Sequence, residues 1–451
     1  MKRLMLICAP VSSRSGYGAH ARDLVTSFIE HDKYDIKIQD VRWGDCPRNA
    51  LDINNENDKK IIDCILNEPL NQQPDIYVDI RIPNEFQTPG KFNIGITAGI
   101  ETDIVSGKWL EGCNKMDLVI VPSKHSKMGF VQSIYDKVQK SSDGSQQKIG
   151  EFKLEKPIEV LFEGANEDIY KPLTKDEIDS DFFDWLNDEV SEKFAYLFVG
   201  QWTKGGYGED RKDIARMVKV FYESFANKKK QPALILKTNG ATYSIIDRED
   251  CINKIKNVKS KFPSDWKLPN VHLLHGDLSS EEMNYLYNHP KVKAMVSMTH
   301  GEGFGRPLLE ATMTGLPVIA SGWSGQLDFL NKENSMLLPG ELKQVPGSMV
   351  WEDIIIPESK WFEVNEDAMY KVLNYSFVNK EEIKRKASTI MNENRDKFTL
   401  NKMSKKLDEI LEKYLKDAPN QVSLNLPKLK KVDKETPKVE LPKLKKLTET
   451  V

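Results

Sequence analysis

The stretch AMVSMTHGEGFGRPLLEATMTGLPVIAS, residues 294–321, decides the fold. An apolar run of strand length at 294–298 gives way to a turn carrying Gly301, Gly303 and Gly305. From Arg306 to Thr314 the pattern is that of a helix, with Pro307 in its first turn, and PVIAS at 317–321 is a second apolar strand. Glycine loses more conformational freedom on folding than any other residue, so a turn this rich in it needs a close approach to repay the cost. Strand, turn, helix and strand, with both strands apolar throughout, is the unit of a parallel sheet covered on both faces.

The same grammar extends outward in both directions. AYLFVGQ (195–201), ALILKT (233–238) and VHLLHG (271–276) precede the stretch. An earlier set runs through LMLICA (4–9), YDIKIQDV (34–41), DIYVDIRI (75–82), FNIGITA (92–98), DLVIVPS (117–123) and IEVLF (158–162). Helical patterns lie between several of them, as at His20 to Glu30, where Ala21, Leu24, Val25 and Phe28 share a face. The expectation is α/β: two Rossmann-like, doubly wound domains over residues 1–170 and 171–400, with the boundary in the polar segment from Tyr170 to Asp181. The polar segment 136–153 reads as a surface loop. Residues 401–418 read as an amphipathic helix with Met403, Leu407, Ile410, Leu411 and Tyr414 on one face. The tail 419–451 repeats LPKLKK at Leu426 and Leu441, has no aromatic residue, and is expected to be disordered. It reads as a solubilising extension, or as a bivalent basic element that docks on an acidic surface.

Composition narrows the class. The chain has 451 residues, 39% of them hydrophobic, and a formal charge of -3, which gives no global attraction to nucleic acid or anionic membrane. Five cysteines, at 8, 46, 64, 113 and 251, are odd in number and form no CxxC pair, so neither a disulfide framework nor a zinc site is indicated. A reducing, cytoplasmic setting is the expectation. The apolar runs are too short for a transmembrane segment. MKRLMLICAPV at the start reads as a first strand in preference to a signal peptide, because Gly16, Gly18 and polar residues follow at once.

In a doubly wound fold the ligand lies beyond the carboxyl ends of the strands, where glycines admit its approach and a helix amino terminus favours an anion. A diphosphate suits the turn at 299–305. Glu302 and Glu310, on either side of it, repel a bare phosphate but accept hydrogen bonds from sugar hydroxyls. A nucleoside-diphosphate sugar, UDP- or GDP-linked, meets both conditions. No metal is expected, since no histidine cluster of ligand type is present.

GEGFGRPLLEATMTGLPVIAS (301–321) resembles the Glu-x7-Glu signature of retaining GT-B glycosyltransferases of group 1, related to family 4. LFEGANEDIYKP (161–172), HLLHGDLSSEEMNYLY (272–287) and the early SGYGAHARDL are similar to other segments of that family. The resemblance implies two domains facing a central cleft and metal-independent sugar transfer with retention of configuration. It also implies that Glu302 contacts donor-sugar hydroxyls and Glu310 the ribose. The backbone of Gly303, Phe304 and Gly305 approaches the sugar, and the amides from Arg306 onward approach the diphosphate. A pair of cations usually follows the first strand of the second domain; here Gln201 stands where an arginine is often found, and an insertion precedes Arg211 and Lys212. The cationic role is assigned to Lys212 first and Arg211 second, with Lys237 as a further candidate. Gly16 and Gly18 would form a loop against the donor, with an ordinary strand-to-helix turn as the alternative. Glu101 is the candidate for the acceptor side, where many relatives carry a histidine; the alternative is a helix cap by Thr102 or Asp103 with Glu101 solvated. His300 receives no role. The acceptor is open: glycan, lipid, protein, small molecule or modified nucleic acid. Two other readings are a nucleotide-sugar epimerase and a noncatalytic nucleotide-sugar-binding scaffold tethered through the tail.

Overall fold

Strands that read as continuous apolar runs pair in parallel here because each is covered on both faces. The computed structural model describes residues 2–140, 146–203 and 205–416, so the repeated tail lies outside the described residues. The chain begins with β1 (Arg3–Ala9), α1 (Gly16–His31), β2 (Tyr34–Asp40), α2 (Glu56–Ile62), β3 (Ile76–Ile80), β4 (Phe92–Ile96), α3 (Gly107–Lys115), β5 (Leu118–Val121) and α4 (Lys124–Gln132). It continues with β6 (Tyr135–Lys140), β7 (Gln146–Phe152) and β8 (Ile158–Val160). Six of these strands form a parallel sheet in the order β2-β1-β3-β4-β5-β8. Met5, Ile7, Val78, Ile94 and Ile120 on the sheet pack with Leu24, Val25 and Phe28 of α1 in one core.

The second sheet follows α5 (Ser180–Glu189). It is assembled from β9 (Ala195–Val199), α6 (Ile214–Phe225), β10 (Ala233–Lys237), α7 (Ile245–Lys259), β11 (Val271–Leu274), α8 (Ser280–Asn288), β12 (Val292–Ser297), α9 (Arg306–Met313), β13 (Val318–Ser321) and β14 (Met336–Leu338). Its order is β11-β10-β9-β12-β13-β14, so the winding reverses between β9 and β12. Alternate residues of β9 feed opposite cores: Leu197 joins Leu308 and Leu309 of α9, whereas Tyr196 and Phe198 join Met217, Phe221 and Phe225 of α6.

A hairpin of β15 (Gly340–Gln344) and β16 (Lys360–Val364) then leads to α10 (Glu366–Val378), α11 (Lys380–Lys397) and α12 (Leu400–Leu415). The chain therefore crosses between the sheets twice, and the crossings lie side by side: Ala165 donates to Phe398 O at 3.0 Å and Leu400 donates to Ala165 O at 2.8 Å. α12 returns to the first sheet, where Met403, Leu407, Ile410 and Leu411 complete its core.

The loop expected at 136–153 is instead the antiparallel hairpin β6 and β7, with Tyr135 opposite Phe152 and a register shift after Lys137. Both strands are largely exposed, so no apolar alternation marks them; the ladder itself and the packing of Tyr135 and Phe152 onto the Trp109 core hold the hairpin. Gly16, Tyr17 and Gly18 also differ from expectation. They are the first turn of α1, because Ser15 caps the helix and accepts from the Gly18 amide. Among the described residues, no helix is long and apolar enough to cross a membrane.

Candidate functional site

The turn after β12 sits at the carboxyl end of the second sheet, beside the reversal in strand order, and it is pressed against the first half of the chain. A Cβ on Gly303 would lie 1.8 Å from Ala98 O, and one on Gly301 would lie 2.1 Å from Glu101 O. The glycines are therefore spent on close approach between the halves. Ser123 and Ser126, at the start of α4, both donate to Gly303 O, at 2.5 and 3.2 Å. Gly305, at φ +99°, caps α9 in the left-handed region that only glycine enters freely. Phe304 points away from the turn into the core, against Phe329 at 5.0 Å.

Four candidate residues converge here. Lys212 Nζ bonds Glu302, and both are buried. Arg211 donates to Glu101 Oε1 at 2.7 Å and stands 3.8 Å from the free oxygen of Glu302. Glu101 comes from the loop after β4, Arg211 and Lys212 from the loop after β9, and Glu302 from the turn after β12. Burial alone would raise the carboxyl of Glu302, but Lys212 and Arg211 outweigh it and hold Glu302 below the usual carboxylate range. The backbone amide of Glu302 donates to Ser324 Oγ at 2.9 Å. Ser324 holds a rare positive φ of 79°.

Lys212 is buried and Arg211 half-buried, so neither stands on an exposed helix start. Asp213, at φ 52°, caps α6 and pairs with Arg216. Asp210 accepts from the Ile214 amide at 3.1 Å. His300 and Thr299 grip the loop by donating to Arg211 O at 3.0 Å from the His300 amide and 3.3 Å from the Thr299 hydroxyl. The His300 ring stacks on Trp361 at 4.2 Å, with Nδ1 2.7 Å from Phe362 O, so it buttresses the turn. Thr102 and Asp103 cap no helix: Thr102 Oγ1 donates to Ile104 O at 2.9 Å, and Asp103 accepts from the Lys360 amide at 2.7 Å.

A second charge group flanks the first. Arg306 donates to Glu310 Oε1 at 2.9 Å and also bonds Asp23 of α1, which ties the halves together. Tyr287 donates to the other oxygen of Glu310 at 3.3 Å. Burial raises the carboxyl of Glu310 against the opposing pull of Arg306. Lys237 is not joined to Glu302 or Arg211. Its ammonium donates to Gly276 O at 2.6 Å and lies 5.9 Å from the centre of the Tyr243 ring. Nearby, Arg14 crosses from the first half to bond Asp277.

Gly18 is packed, since a Cβ there would lie 2.1 Å from Ser13 O; Gly16 has open space around it. Between them Tyr17 receives the Ala98 amide at 3.0 Å, lies 2.9 Å from Thr97 Oγ1, and stacks on Trp43 at 3.9 Å. Asp23 and Ser324 carried no signal in the sequence, because each acts through a contact that no local pattern marks. Glu163 did carry one: it is a lone acid at the end of the apolar run leaving β8.

Residues 217–342 match the family model described as glycosyl transferases group 1. That span includes Lys237, Glu302 and Glu310 but begins after Arg211 and Lys212. Among solved structures, the chain resembles Anabaena HepE in complex with UDP and glucose, with a TM-score of 0.59, 12% identity, and coverage of 91% of this chain and 100% of that one. Sucrose-phosphate synthase from Thermosynechococcus elongatus gives a TM-score of 0.59 at 12% identity over 92% of this chain and 100% of that one. A glycosyltransferase from Rickettsia africae gives 0.56 at 14% identity over 92% and 99%. The fold is GT-B. No curated protein matches the chain in sequence. In GT-B terms, the Glu101, Arg211, Lys212 and Glu302 cluster lies where the carboxyl ends of the two sheets meet, and Arg306 and Glu310 line the second-sheet side beside it.

Proposed function

We propose that this chain is a metal-independent, retaining glycosyltransferase that moves a sugar, most simply a hexose, from a UDP- or GDP-sugar to an acceptor. One observation carries the reading: two cations and two carboxylates from three separate loops meet between the halves of a GT-B fold, with Lys212 and Glu302 buried and Arg211 and Glu101 half-buried. HepE, which shares the fold, has been crystallised with UDP-glucose, which supports a donor of that kind.

In this reading Glu302 receives donor-sugar hydroxyls, Glu310 the ribose, and the backbone from Gly303 to Arg306 lies along the sugar and diphosphate. When the bond from the anomeric carbon to the phosphate oxygen breaks, its electron pair stays on the diphosphate. Lys212 and Arg211, already fixed by Glu302 and Glu101, then stabilise the growing charge without reorganising. That supply of positive charge from side chains is why a metal is not required. Glu101 faces the acceptor, whose hydroxyl oxygen attacks the anomeric carbon on the same face that the diphosphate leaves, its proton passing to the departing phosphate oxygen. Lys237 and Gly16 are peripheral donor contacts, and Gly18 shapes the first turn of α1. The acceptor belongs to the glycans, lipids, proteins, small molecules or modified nucleic acids, and the reaction is placed in the cytoplasm.

A thermal-shift panel of UDP- and GDP-sugars tests the donor. The correct one raises stability by about 2.7 kcal/mol at a hundredfold excess over its Kd. With that donor and no acceptor, slow release of nucleoside diphosphate that survives EDTA is expected. Binding with no release under any condition would point to a noncatalytic scaffold, and absence of binding to every sugar nucleotide would remove the proposal.

A further inference from the structure

Glu163 is a buried carboxylic acid that has no hydrogen-bond or ion-pair partner among the described residues. It lies just after β8, in the first of the two crossing segments, next to Gly164, whose position admits no Cβ because Leu400 Cα would be 2.6 Å away. The residue is 8% exposed, and among the described residues it makes no hydrogen bond or ion pair. The groups that face it come from each neighbouring element. They are Arg306 and Glu310 on α9, Asp23 on α1, Glu302 on the glycine turn, and Tyr17 in the first turn of α1. His20, also on α1, faces Arg306 and is buried and neutral, its pKa pushed down to about 3. Burial first, and then the three carboxylates against the opposing pull of Arg306, push Glu163 up to about 7.

The neighbouring charges are already committed. Arg211, Lys212 and Arg306 face Glu101, Glu302, Glu310 and Asp23, so the acids outnumber the bases before Glu163 is counted. A doubly ionised diphosphate entering this space adds negative charge beside Glu163, while Lys237, bonded to Gly276 O, stands apart from the Glu302 and Arg211 cluster. A carboxyl that holds its proton removes one negative charge and supplies a hydrogen-bond donor. Glu310 is less suited to the task, because both its oxygens already accept, from Arg306 and Tyr287.

We infer that Glu163 takes up a proton as a nucleoside-diphosphate sugar binds, and that its protonated carboxyl donates a hydrogen bond to the diphosphate. This rests on the donor proposed above. Glu163 is therefore a specificity group for a diphosphate in an acid-rich cleft, acting alongside the cations on the opposite wall.

The test is calorimetric titration of the full chain with UDP-glucose and with GDP-mannose, sugar nucleotides whose diphosphate does not itself titrate near neutrality. It is run from about pH 6.5 to about pH 8.5 in two buffers of different ionisation enthalpy. Wild type should take up close to one proton per donor near pH 8, and its affinity should fall by up to about tenfold per pH unit above about pH 7. Glu163→Gln, whose amide also donates, should bind with little pH dependence and no proton uptake, and should match or exceed wild type at the alkaline end. Glu310→Gln should bind more weakly yet keep the uptake. Proton uptake that persists in Glu163→Gln, or wild-type binding without uptake, overturns the inference while leaving the donor reading intact. If neither nucleotide binds folded wild type, both fall. A melting curve on Glu163→Gln guards against loss of fold.

Discussion

Glu302 stays ionised in a buried place only because Lys212 and Arg211 face it, so the cost of removing either cation differs with geometry. Lys212→Ala leaves a buried carboxylate with one cation 3.8 Å away. The expected result is a melting temperature lowered by the equivalent of about 3 to 5 kcal/mol and a kcat lowered by roughly 10²–10³-fold. Arg211→Ala removes a partner of the part-exposed Glu101 and should cost less stability for a similar loss of rate. Glycines make a second contrast. Gly303→Ala forces a Cβ into Ala98 O and should disrupt the turn and abolish donor binding, whereas Gly16→Ala meets open space and should leave the melting temperature within experimental error. Glu163 adds a signed pH effect. Its pKa is raised from 4.5 to about 7, so the folded state holds the proton longer, and stability tied to this group is complete below about 4.5 and lost as pH rises to about 7. The gain in melting temperature of Glu163→Gln over wild type should therefore grow across that interval and level off above it. At this scale the glutamates and the glycine turn stood out by residue type and spacing, and the cations through the family resemblance. The partners Asp23 and Ser324 did not, since a contact across 283 residues, as between Asp23 and Arg306, or between two loops, as between Ser324 and Glu302, leaves no periodicity.

Elements show a similar division. Strands β1, β9 and β12 and helix α9 were legible because burial on both faces writes a continuous apolar run and a helix start. The β6 and β7 hairpin was not, because its strands pair with each other and expose most of their side chains, leaving a polar sequence without alternation. The amphipathic face of α12 was legible, but its destination was not: Leu407 packs into the core of the first sheet, not the second. Leu407→Ala should cost about 2 to 5 kcal/mol, read by denaturant unfolding, with the cavity opening beside α1. Similar destabilisation with unchanged affinity for the donor would confirm that α12 supports the site from a distance.

At the scale of the molecule, three ion pairs among the described residues join the halves: Arg14 with Asp277, Arg211 with Glu101, and Arg306 with Asp23. They differ in exposure, and the difference ranks them. The Arg14 pair is about a third exposed on each side, so Arg14→Ala should change stability by no more than about 1 kcal/mol, less in high salt. Asp23→Ala strips Arg306, 19% exposed, of one of its two carboxylates and should be markedly more damaging, in melting temperature and in donor affinity together. The sequence by itself determined two doubly wound halves and the glycine turn between two glutamates, because periodicity and local spacing are properties of the chain. Tertiary structure alone decided that the turn presses on Ala98, that Arg211 and Lys212 reach Glu302 despite their insertion, and that Glu163 has no partner among the described residues. Those outcomes depend on how two sheets close over one cleft, and burial, which sets the charge of every group in it, exists only once they have closed.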